Sequence, residues 1–559
     1  MKTALKRLAP LVLTGLMIGC GMNSEEQALK ALIDRRTAAL KPVEKSANLA
    51  YWNAAVTGRD SDYAAYADAD LKMQRLFSDP DTYAKLTAFK ESGRIHDALL
   101  RRELNVLLNE FRIHQIEPEL LEQIVTLGAR IEQNFSTFRG RIRGRAVTSN
   151  EIEHILKTEV DSKKRRDAWL ASKQVGAVVA DDLVELVRLR NRAARALGYD
   201  TYHTLKLETS ELDVRTLESI FTELEERTAE PFARLKAELD SILSESYGVA
   251  PSDLRPWHYH DPFFQETPLV YDVDLDAYYK GEDIRKLAVD FYQSIGLDVR
   301  PILERSDLYE KEGKNPHAFC TDIDREGDVR ILCNLTDSER WMETLLHELG
   351  HAVYDVWLDP DLPYTLRTPA HSFTTEAVAM FFGRLSRNPV WMQAMLGLSD
   401  GDRKALESVT AKYMRLKQLI FARWAMVMFQ FEKALYADPD QDLNALWWDM
   451  KERFQLVAGP EERNAPDWAA KIHFTIAPCY YQNYLLGELM ASQLHFALIS
   501  QIPSLANDAS AAYINQPDVG TFLKDRVFQP GNRFPWNGMI RRATGEPLTP
   551  EYFVKQFIE

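Results

Sequence analysis

Cysteine is scarce in this chain, with four residues among 559, which excludes a small scaffold held together by disulfides. No tract rich in glycine, proline or serine separates two halves, and no internal repeat is evident. Hydrophobic residues make up 45% of the chain, enough for a large core. We therefore expect one large globular unit over residues 20–559 rather than several domains.

Basic residues are fewer than acidic ones. The chain has 68 Lys and Arg against 83 Asp and Glu, a net charge of −15 and a pI near 5.4. A nucleic-acid partner is therefore not expected. The one basic cluster, Lys163-Lys164-Arg165-Arg166, precedes Trp169 in a helical pattern and is predicted to be a solvated helix face.

The apolar run over residues 8–19 is too short to span a bilayer. Basic residues precede it, namely Lys2, Lys6 and Arg7, so residues 1–19 are predicted to be a signal peptide. Gly19 before Cys20 resembles a bacterial lipobox, with Met17 in place of the usual leucine. We expect a lipidated Cys20 to hold the protein to a membrane in the periplasm, and Gly21 favours the outer membrane by analogy. Ordinary cleavage near Gly19, giving a soluble periplasmic product, is the alternative.

The stretch that carries chemistry is His347-Glu348-Leu349-Gly350-His351, an HExxH pattern. Two histidines four residues apart share one helix face and can bind one zinc ion. Glu348 lies about 100° around the helix, where it can hold a water molecule and take its proton without binding the metal. The pattern predicts metal-assisted hydrolysis, although a chance match in a chain with 12 histidines has a probability on the order of a few per cent.

The surrounding residues favour a real helix. Thr336-Asp337-Ser338-Glu339 is typical of a capping box. Apolar residues then recur with helical spacing at Trp341, Leu345, Leu349 and Val353.

A catalytic zinc site needs a third protein ligand and an open position. We predict Glu376 as this ligand, in a second apolar helix over residues 372–383, because an acid in so apolar a helix is costly to bury without a positive partner. A surface-facing Glu376 is the alternative reading, and His371 is the rival ligand. A His/His/Glu set with an open position suits zinc better than manganese or cobalt.

Residues 310–390, with this motif and Glu376 in a Thr-Glu-Ala setting, resemble the angiotensin-converting enzyme (peptidyl-dipeptidase A) family of zinc peptidases, relatives of the thimet oligopeptidases. The likeness extends from about residue 160 to the end. Its further motifs are Asn315-Pro316-His317-Ala318-Phe319, Lys471-Ile472-His473, Tyr480, Tyr481 and Tyr484, Pro530-Gly531-Asn532-Arg533-Phe534-Pro535-Trp536, and Ala543-Thr544-Gly545-Glu546-Pro547.

This resemblance implies a mainly α fold, a two-lobed helical zincin with a deep central cleft and a small β-hairpin near the active site. It implies one zinc ion, short peptide substrates, helices of the N-terminal region as a lid, and release of C-terminal dipeptides. An endo-oligopeptidase of the thimet type is the alternative. A non-catalytic peptide-binding lipoprotein is another, but such a protein would not need Glu348.

The resemblance also implies roles for substrate-binding residues. His317 and Ala318 would lie on the strand that pairs with the substrate, Tyr480 would line the cleft, and the substrate carboxylate would be bound by Lys471, Tyr481 and Gln265. Asn483 stands where the family has a chloride-linked arginine, which argues against chloride activation, and Asp355 is a candidate partner of a zinc histidine.

The developing oxyanion of peptide hydrolysis needs hydrogen-bond donors. His473 and Tyr484 are predicted to supply them, because Tyr484 shares a helix face with Tyr480 at i, i+4 or with Tyr481 at i, i+3. Aromatic packing is the alternative for these tyrosines.

Strand signals are confined to residues 316–334 and 268–272. A hairpin with a two-residue turn at Glu326-Gly327 would place Cys320 opposite Cys333 and allow a disulfide, with two reduced cysteines as the alternative. Cys479 is predicted to be a buried small residue. Helices are predicted over residues 24–58, 62–76, 80–92, 94–136, 149–176, 178–197, 214–247, 274–294, 402–436, 440–457, 478–499 and 548–557.

Overall fold

Helices dominate the computed structural model, which describes residues 22–271, 273–506 and 512–559. The predicted signal peptide and Cys20 lie outside these residues. The helices are α1 Ser24–Thr57, α2 Asp60–Phe77, α3 Pro80–Ser92, α4 Ala98–Ile113, α5 Pro118–Thr137, α6 Ser149–Thr158, α7 Ser162–Ala196, α8 Tyr202–Thr209, α9 Val214–Tyr247, α10 Asp276–Tyr279, α11 Ile284–Ser294, α12 Arg300–Arg305, α13 Glu339–Val356, α14 Ser372–Gly383, α15 Pro389–Leu396, α16 Asp400–Ala437, α17 Leu443–Gln455, α18 His473–Ile476, α19 Gln482–Gln501, α20 Pro517–Leu523, α21 Trp536–Thr544 and α22 Glu551–Phe557.

Strands are confined, within the described residues, to two small antiparallel hairpins: β1 Gly140–Ile142 with β2 Arg145–Val147, and β3 Phe319–Asp322 with β4 Val329–Leu332. The mainly α fold predicted from the sequence is confirmed. None of the described helices is both long enough and apolar enough to cross a membrane.

Several predicted helix boundaries were wrong. The segment 94–136 is divided between α4 and α5, where Pro118 occupies the first turn of the new helix. The break expected near residue 177 lies at 159–161 instead, because Asp161 caps α7 by accepting from the amides of Lys163 and Lys164. The segment 274–294 is broken after Tyr279, and no strand forms in the described part of 268–272.

The start of α13 differs in its capping residue. The hydroxyl of Ser338 accepts a hydrogen bond from the amide of Trp341 at 3.3 Å, so Ser338 is the N-cap and not Thr336. The predicted apolar stripe is buried, with Leu345, Leu349 and Val353 fully inaccessible. These side chains belong to the largest hydrophobic cluster of the described residues. His347 and His351 therefore lie on the other face of α13.

The β3–β4 hairpin forms, but its predicted register was wrong by two residues. Cys320 pairs with Ile331, and Cys320 and Cys333 are both free thiols. The turn is longer than expected because the Asp322 carboxylate accepts from the amides of Asp324 and Arg325, which closes the ladder at Ile323. The disulfide expectation is therefore not met. Cys479 is buried, as predicted.

The basic cluster is only partly solvated. Arg165 is fully buried, with its guanidinium donating to the backbone oxygen of Trp257 at 2.9 Å and of Glu159 at 2.8 Å. Lys163, Lys164 and Arg166 are exposed. One arginine of the cluster therefore joins α7 to a neighbouring loop.

Helix α1 packs across the hairpin. Glu44 pairs with Arg325 at 2.5 Å, Lys45 pairs with Asp324 at 2.9 Å, and the amide of Asn48 donates to the hairpin backbone. The N-terminal helices also have a core of their own, in which Leu29, Leu86 and Leu104 are buried. This arrangement places α1 beside the strand that borders the candidate active site.

Candidate active site

The three predicted metal ligands converge on one point. The Nε2 atoms of His347 and His351 are 3.2 Å apart, and Oε2 of Glu376 lies 3.7 Å from the first and 3.8 Å from the second. Zinc ligands at about 2.0–2.1 Å in a tetrahedron lie about 3.3 Å from one another. The residues therefore fit a zinc ion, with the fourth position left to water or substrate.

Two glycines bring the helices close enough for this geometry. A β-carbon added to Gly350 of α13 would lie 2.6 Å from the Cα of Ala379 on α14. A β-carbon added to Gly487 of α19 would lie 3.2 Å from the Cβ of Glu376. At Gly350 a side chain would collide with the backbone of α14, and at Gly487 even a methyl group would be crowded. The two glycines thus let α14 lie close between α13 and α19, with Glu376 near the histidines.

Burial shifts the pKa values of these ionisable groups towards their neutral forms. It lowers the pKa of His347 to about 4 and also lowers that of His351, so both rings are neutral and able to bind a metal. Burial raises the pKa of Glu376 to about 7. Burial and the nearby Glu376 raise the pKa of Glu348 to about 8. A divalent cation bound beside Glu348 and Glu376 would lower both pKa values again, because it favours the charged form of a carboxyl group.

The outer nitrogen of His351 has an unexpected partner. Its Nδ1 lies 2.7 Å from the hydroxyl of Thr375, the residue before Glu376. Asp355, the partner predicted from the sequence, has Asp322 and Arg325 as its charged neighbours instead. Thr375 therefore orients the zinc-facing nitrogen of His351.

His371 is not a ligand in this arrangement. Its Nδ1 accepts from the amide of Phe373 at 3.1 Å and caps the start of α14. Among the described residues, His347, His351 and Glu376 form the cluster able to hold a metal ion. The choice of Glu376 over His371 agrees with this geometry.

The cleft extends on both sides of the three ligands. A larger lobe of about 810 Å³ contains Lys471, Gln265 and His473, and a smaller lobe of about 680 Å³ contains Ala318 and Glu348. Three residues line both lobes: His347, Met380 and Tyr484. A peptide that crosses the metal position would therefore occupy both lobes.

The predicted carboxylate-binding residues meet in the larger lobe. The ammonium of Lys471 donates to Oε1 of Gln265 at 2.6 Å, and Lys471 also lies 5.5 Å from the centre of the Tyr481 ring. The Tyr481 hydroxyl accepts from Nε1 of Trp424 at 2.6 Å, which leaves its own hydrogen free to donate. Asp261 orders this corner, because its carboxylate accepts from the amide of Gln265 at 2.6 Å.

His473 lines the same lobe and has an unused polar atom. Its Nδ1 is buried and has no hydrogen-bond partner, and burial lowers the pKa of its ring to about 4. The chain directly after His473 is held by buried Arg190, which donates to the backbone oxygens of Phe474 at 2.9 Å and Thr475 at 2.7 Å. A neutral His473 is therefore fixed beside the cleft as a hydrogen-bond donor or acceptor.

Tyr484 and Tyr480, both expected beside the cleft, occupy different positions. Tyr484 lines both lobes of the cleft next to His347. Tyr480 lines neither lobe, and its hydroxyl lies beside the carboxylate of Glu376 instead, where it favours the charged form and lowers the pKa of that carboxyl. Tyr480 is thus placed to orient a metal ligand, whereas Tyr484 can reach a bound substrate.

Strand β3 borders the smaller lobe through Phe319, Cys320 and Asp322, and Ala318 lines the same lobe from just before the strand. Among the described strands β3 pairs only with β4. Apart from the Asp322 oxygen, which accepts from the Asn48 side chain at 3.1 Å, its second edge is open to an extended peptide. His317 is exposed and does not line this lobe. Both residues were expected on the strand itself. Ala318 lines the lobe but precedes β3, and His317 lines neither lobe of the cleft.

The sequence did not predict the roles of Thr375, Arg190 and Trp424 at this site. Thr375 could have been suspected from its position beside Glu376, one helical step from the ligand. Arg190 and Trp424 carry no local signal, because their partners lie 284 and 57 residues away. Their roles follow from tertiary packing alone.

Two neutral imidazoles from one helix and a carboxylate from the next, beside a buried glutamate, are typical of a helical metallopeptidase. A family model described as angiotensin-converting enzyme matches residues 22–253 and 261–554. The chain belongs to the angiotensin-converting enzyme family of peptidases, and it is a metallopeptidase that acts on peptides.

Individual relatives are distant. The chain is 23% identical over 505 residues to thermostable carboxypeptidase 1 of Pyrococcus furiosus, covering 83% of this chain and 91% of that protein. It is 22% identical to the angiotensin-converting enzyme of Theromyzon tessulatum, covering 71% of this chain and 68% of that protein. It is 24% identical to the angiotensin-converting enzyme of Bos taurus, covering 71% of this chain but only 32% of that protein.

Proposed function

We propose that this protein is a zinc peptidyl-dipeptidase that removes dipeptides from the free C-terminus of short peptides. The observation that carries this proposal is the mutual spacing of His347, His351 and Glu376, which matches a tetrahedral zinc site. A zinc ion held there would act as a Lewis acid on the scissile carbonyl. The metal assignment rests on the donor set and on the family.

The residues around the metal would have distinct roles in hydrolysis. Glu348 would take a proton from the attacking water and pass it to the leaving amine, and the positive charge of a metal ion beside it would favour the ionised carboxylate that this role needs. Tyr484 and His473 donate hydrogen bonds to the oxygen that becomes negative. Tyr480 and Thr375 hold Glu376 and His351 in place.

Lys471, Gln265 and Tyr481 are proposed to bind the terminal carboxylate of the substrate. They lie together in the lobe opposite β3, so a peptide paired with the edge of β3 would direct its C-terminus towards them. The number of residues between the cut and this site determines the product. We propose two, in line with the family.

Release of a single amino acid is the second candidate, supported by the similarity to a protein named a carboxypeptidase. The test is mass analysis of the products from one peptide with a free C-terminus and the same peptide with a C-terminal amide. Dipeptides from the free form alone support the proposal. Single amino acids indicate the carboxypeptidase, internal cuts in both forms indicate an endo-oligopeptidase, and zinc binding without any cleavage indicates a peptide-binding protein.

We also propose that the protein is a lipoprotein of the bacterial periplasm, held to the outer membrane through Cys20. The support is the sequence pattern of residues 2–21. The experiment is fractionation and mass analysis of the mature N-terminus, with Cys20→Ala as the comparison. A mature protein that begins at lipid-modified Cys20 is expected, and an unmodified mature N-terminus would contradict the anchor.

A further inference from the structure

One corner of the larger lobe is lined by charged residues that the proposed hydrolysis does not use. Helix α13 presents Arg340, Glu343, His347 and His351 at spacings of three and four residues, which places them on one face. The first three line the larger lobe. Arg340 and Glu343 therefore lie within two turns of the first proposed zinc ligand.

Helix α16 completes this corner from the other side. Tyr413, Lys417 and Phe421 recur every four residues and line the same lobe. The ammonium of Lys417 lies 2.9 Å from Oε1 of Glu343. From the turn after α14, Arg387 lies 2.6 Å from Oε2 of the same Glu343.

We call Arg340, Arg387 and Lys417, with Glu343 between them, the basic corner. Arg387 also pairs with Glu339 at 2.9 Å, so two carboxylates face three cations and one positive charge remains. Arg340 is exposed and has no ion-pair partner among the described residues. Lys417 is 32% exposed, and Glu343 can occupy only some of its three donors.

Four other acids line the lobe: Glu153, Asp261, Glu266 and Glu488. Glu153 pairs with Lys157 at 4.0 Å, and Glu266 has Lys157 and Lys417 among its charged neighbours. The Asp261 carboxylate is occupied by the amides of Phe263, Gln265 and Glu266. Glu488 pairs with Arg384. Among the described residues none of these four acids forms an ion pair with Arg340 or Lys417, so both cations can still interact with a ligand.

We propose that the basic corner binds an acidic side chain of the substrate, on one of the two residues that follow the scissile bond. This inference rests on the proposed function, because the proposed carboxylate site at Lys471 and Gln265 lies in the same lobe and directs those two residues into it. A carboxylate there gains charge-assisted hydrogen bonds from Lys417 and Arg340. A lysine side chain meets like charge and is disfavoured.

The experiment uses the full mature protein loaded with zinc and N-terminally blocked tripeptides. The last two residues are varied one at a time among Glu, Gln, Lys and Leu. At one of the two positions we expect kcat/KM for Glu to exceed that for the isosteric Gln at least tenfold, with Lys lowest. The preference should shrink at high salt, since ions screen charges in an open cleft.

Substitutions separate this effect from general damage to the cleft. Lys417→Glu should reverse the ratio of Glu to Lys peptides, and Arg340→Gln should lower the ratio of Glu to Gln peptides. Lys412→Gln is the matched control, because Lys412 is exposed on the same helix and does not line the lobe. Its ratios should equal those of the wild type.

The possible outcomes are distinct. Equal cleavage of Glu, Gln and Lys peptides by the wild type, or an unchanged ratio in Lys417→Glu, would overturn this inference and leave the proposed peptidase intact. Absence of cleavage of every peptide, including the Leu forms, would overturn the proposed function and this inference with it.

Discussion

Gly350 of α13 lies against Ala379 of α14, with only 2.6 Å between the Ala379 Cα and the place where a β-carbon of residue 350 would be. Gly350 is the fourth residue of the HExxH motif, and Ala379 lies one turn after Glu376. The closest approach of the two helices therefore occurs next to the metal ligands that they supply.

Gly350→Ala should consequently separate α13 from α14. We expect a loss of about 1–3 kcal/mol in the free energy of unfolding, as for other overpacked cores, and weaker zinc binding because Glu376 moves away. Denaturant unfolding and zinc titration measure the two effects. Gly128→Ala in α5 is the control, because nothing lies within 4 Å of its added carbon. Equal stability of the two variants would contradict the close approach.

Glu348→Gln should retain zinc and lose hydrolysis. The amide keeps the size of the side chain but cannot take a proton, so kcat should fall by several orders of magnitude. Metal analysis and peptide cleavage on the same preparation measure both properties. Unchanged turnover would refute the role of Glu348 as general base.

Glu376→Ala should lose the metal, since it removes a proposed ligand, whereas Thr375→Val should only weaken binding. Loss of the hydroxyl that orients His351 is expected to raise the zinc dissociation constant roughly tenfold or more. Thr375→Ser retains the hydroxyl and is the matched control. Competition with a metal chelator measures all three, and wild-type affinity in Thr375→Val would exclude this positioning role.

Tyr484→Phe and Tyr480→Phe should differ in kind. Loss of a donor to the oxyanion lowers kcat roughly 10²–10³-fold with little change in KM, and we expect this for Tyr484. Tyr480→Phe removes the hydroxyl that lies beside the Glu376 carboxylate and should weaken zinc binding first. Steady-state kinetics at saturating zinc separate the two. Equal losses of kcat would contradict the division between them.

The affinity for C-terminal carboxylates should depend on pH through Lys471. Burial lowers the pKa of this ammonium to about 8, so the cation is present below pH 8 and is lost as the pH rises through this value. We expect kcat/KM for peptides with a free C-terminus to fall over the same range. Lys471→Arg, which keeps its charge at high pH, should abolish the fall. The same alkaline decline in that variant would assign the effect to another group.

Much of the centre could be predicted from the sequence. The HExxH spacing places His347 and His351 on one face, because a helix turns 100° per residue regardless of its surroundings. Glu376 could be chosen because a lone acid in an apolar helix is costly without a partner. Ala318, Lys471 and Tyr484 were found by resemblance, which transfers a known arrangement without deriving it.

Other features were mispredicted for identifiable reasons. The register of Cys320 was wrong because the side chain of Asp322 binds turn amides and lengthens the loop, which strand periodicity does not reveal. Asp355 was expected near a zinc histidine, yet that place is taken by Thr375, whose hydroxyl reaches His351 across the contact between α13 and α14.

The sequence alone determined the mainly helical fold, the paired imidazoles and the position of the proposed general base, since each follows from local backbone geometry and side-chain chemistry. Tertiary structure decided which groups surround them: Thr375 on His351, Tyr480 on Glu376, and the charged residues of α13 facing those of α16. Such contacts join residues far apart in the chain, and they are set by how the whole core packs rather than by any short stretch of residues.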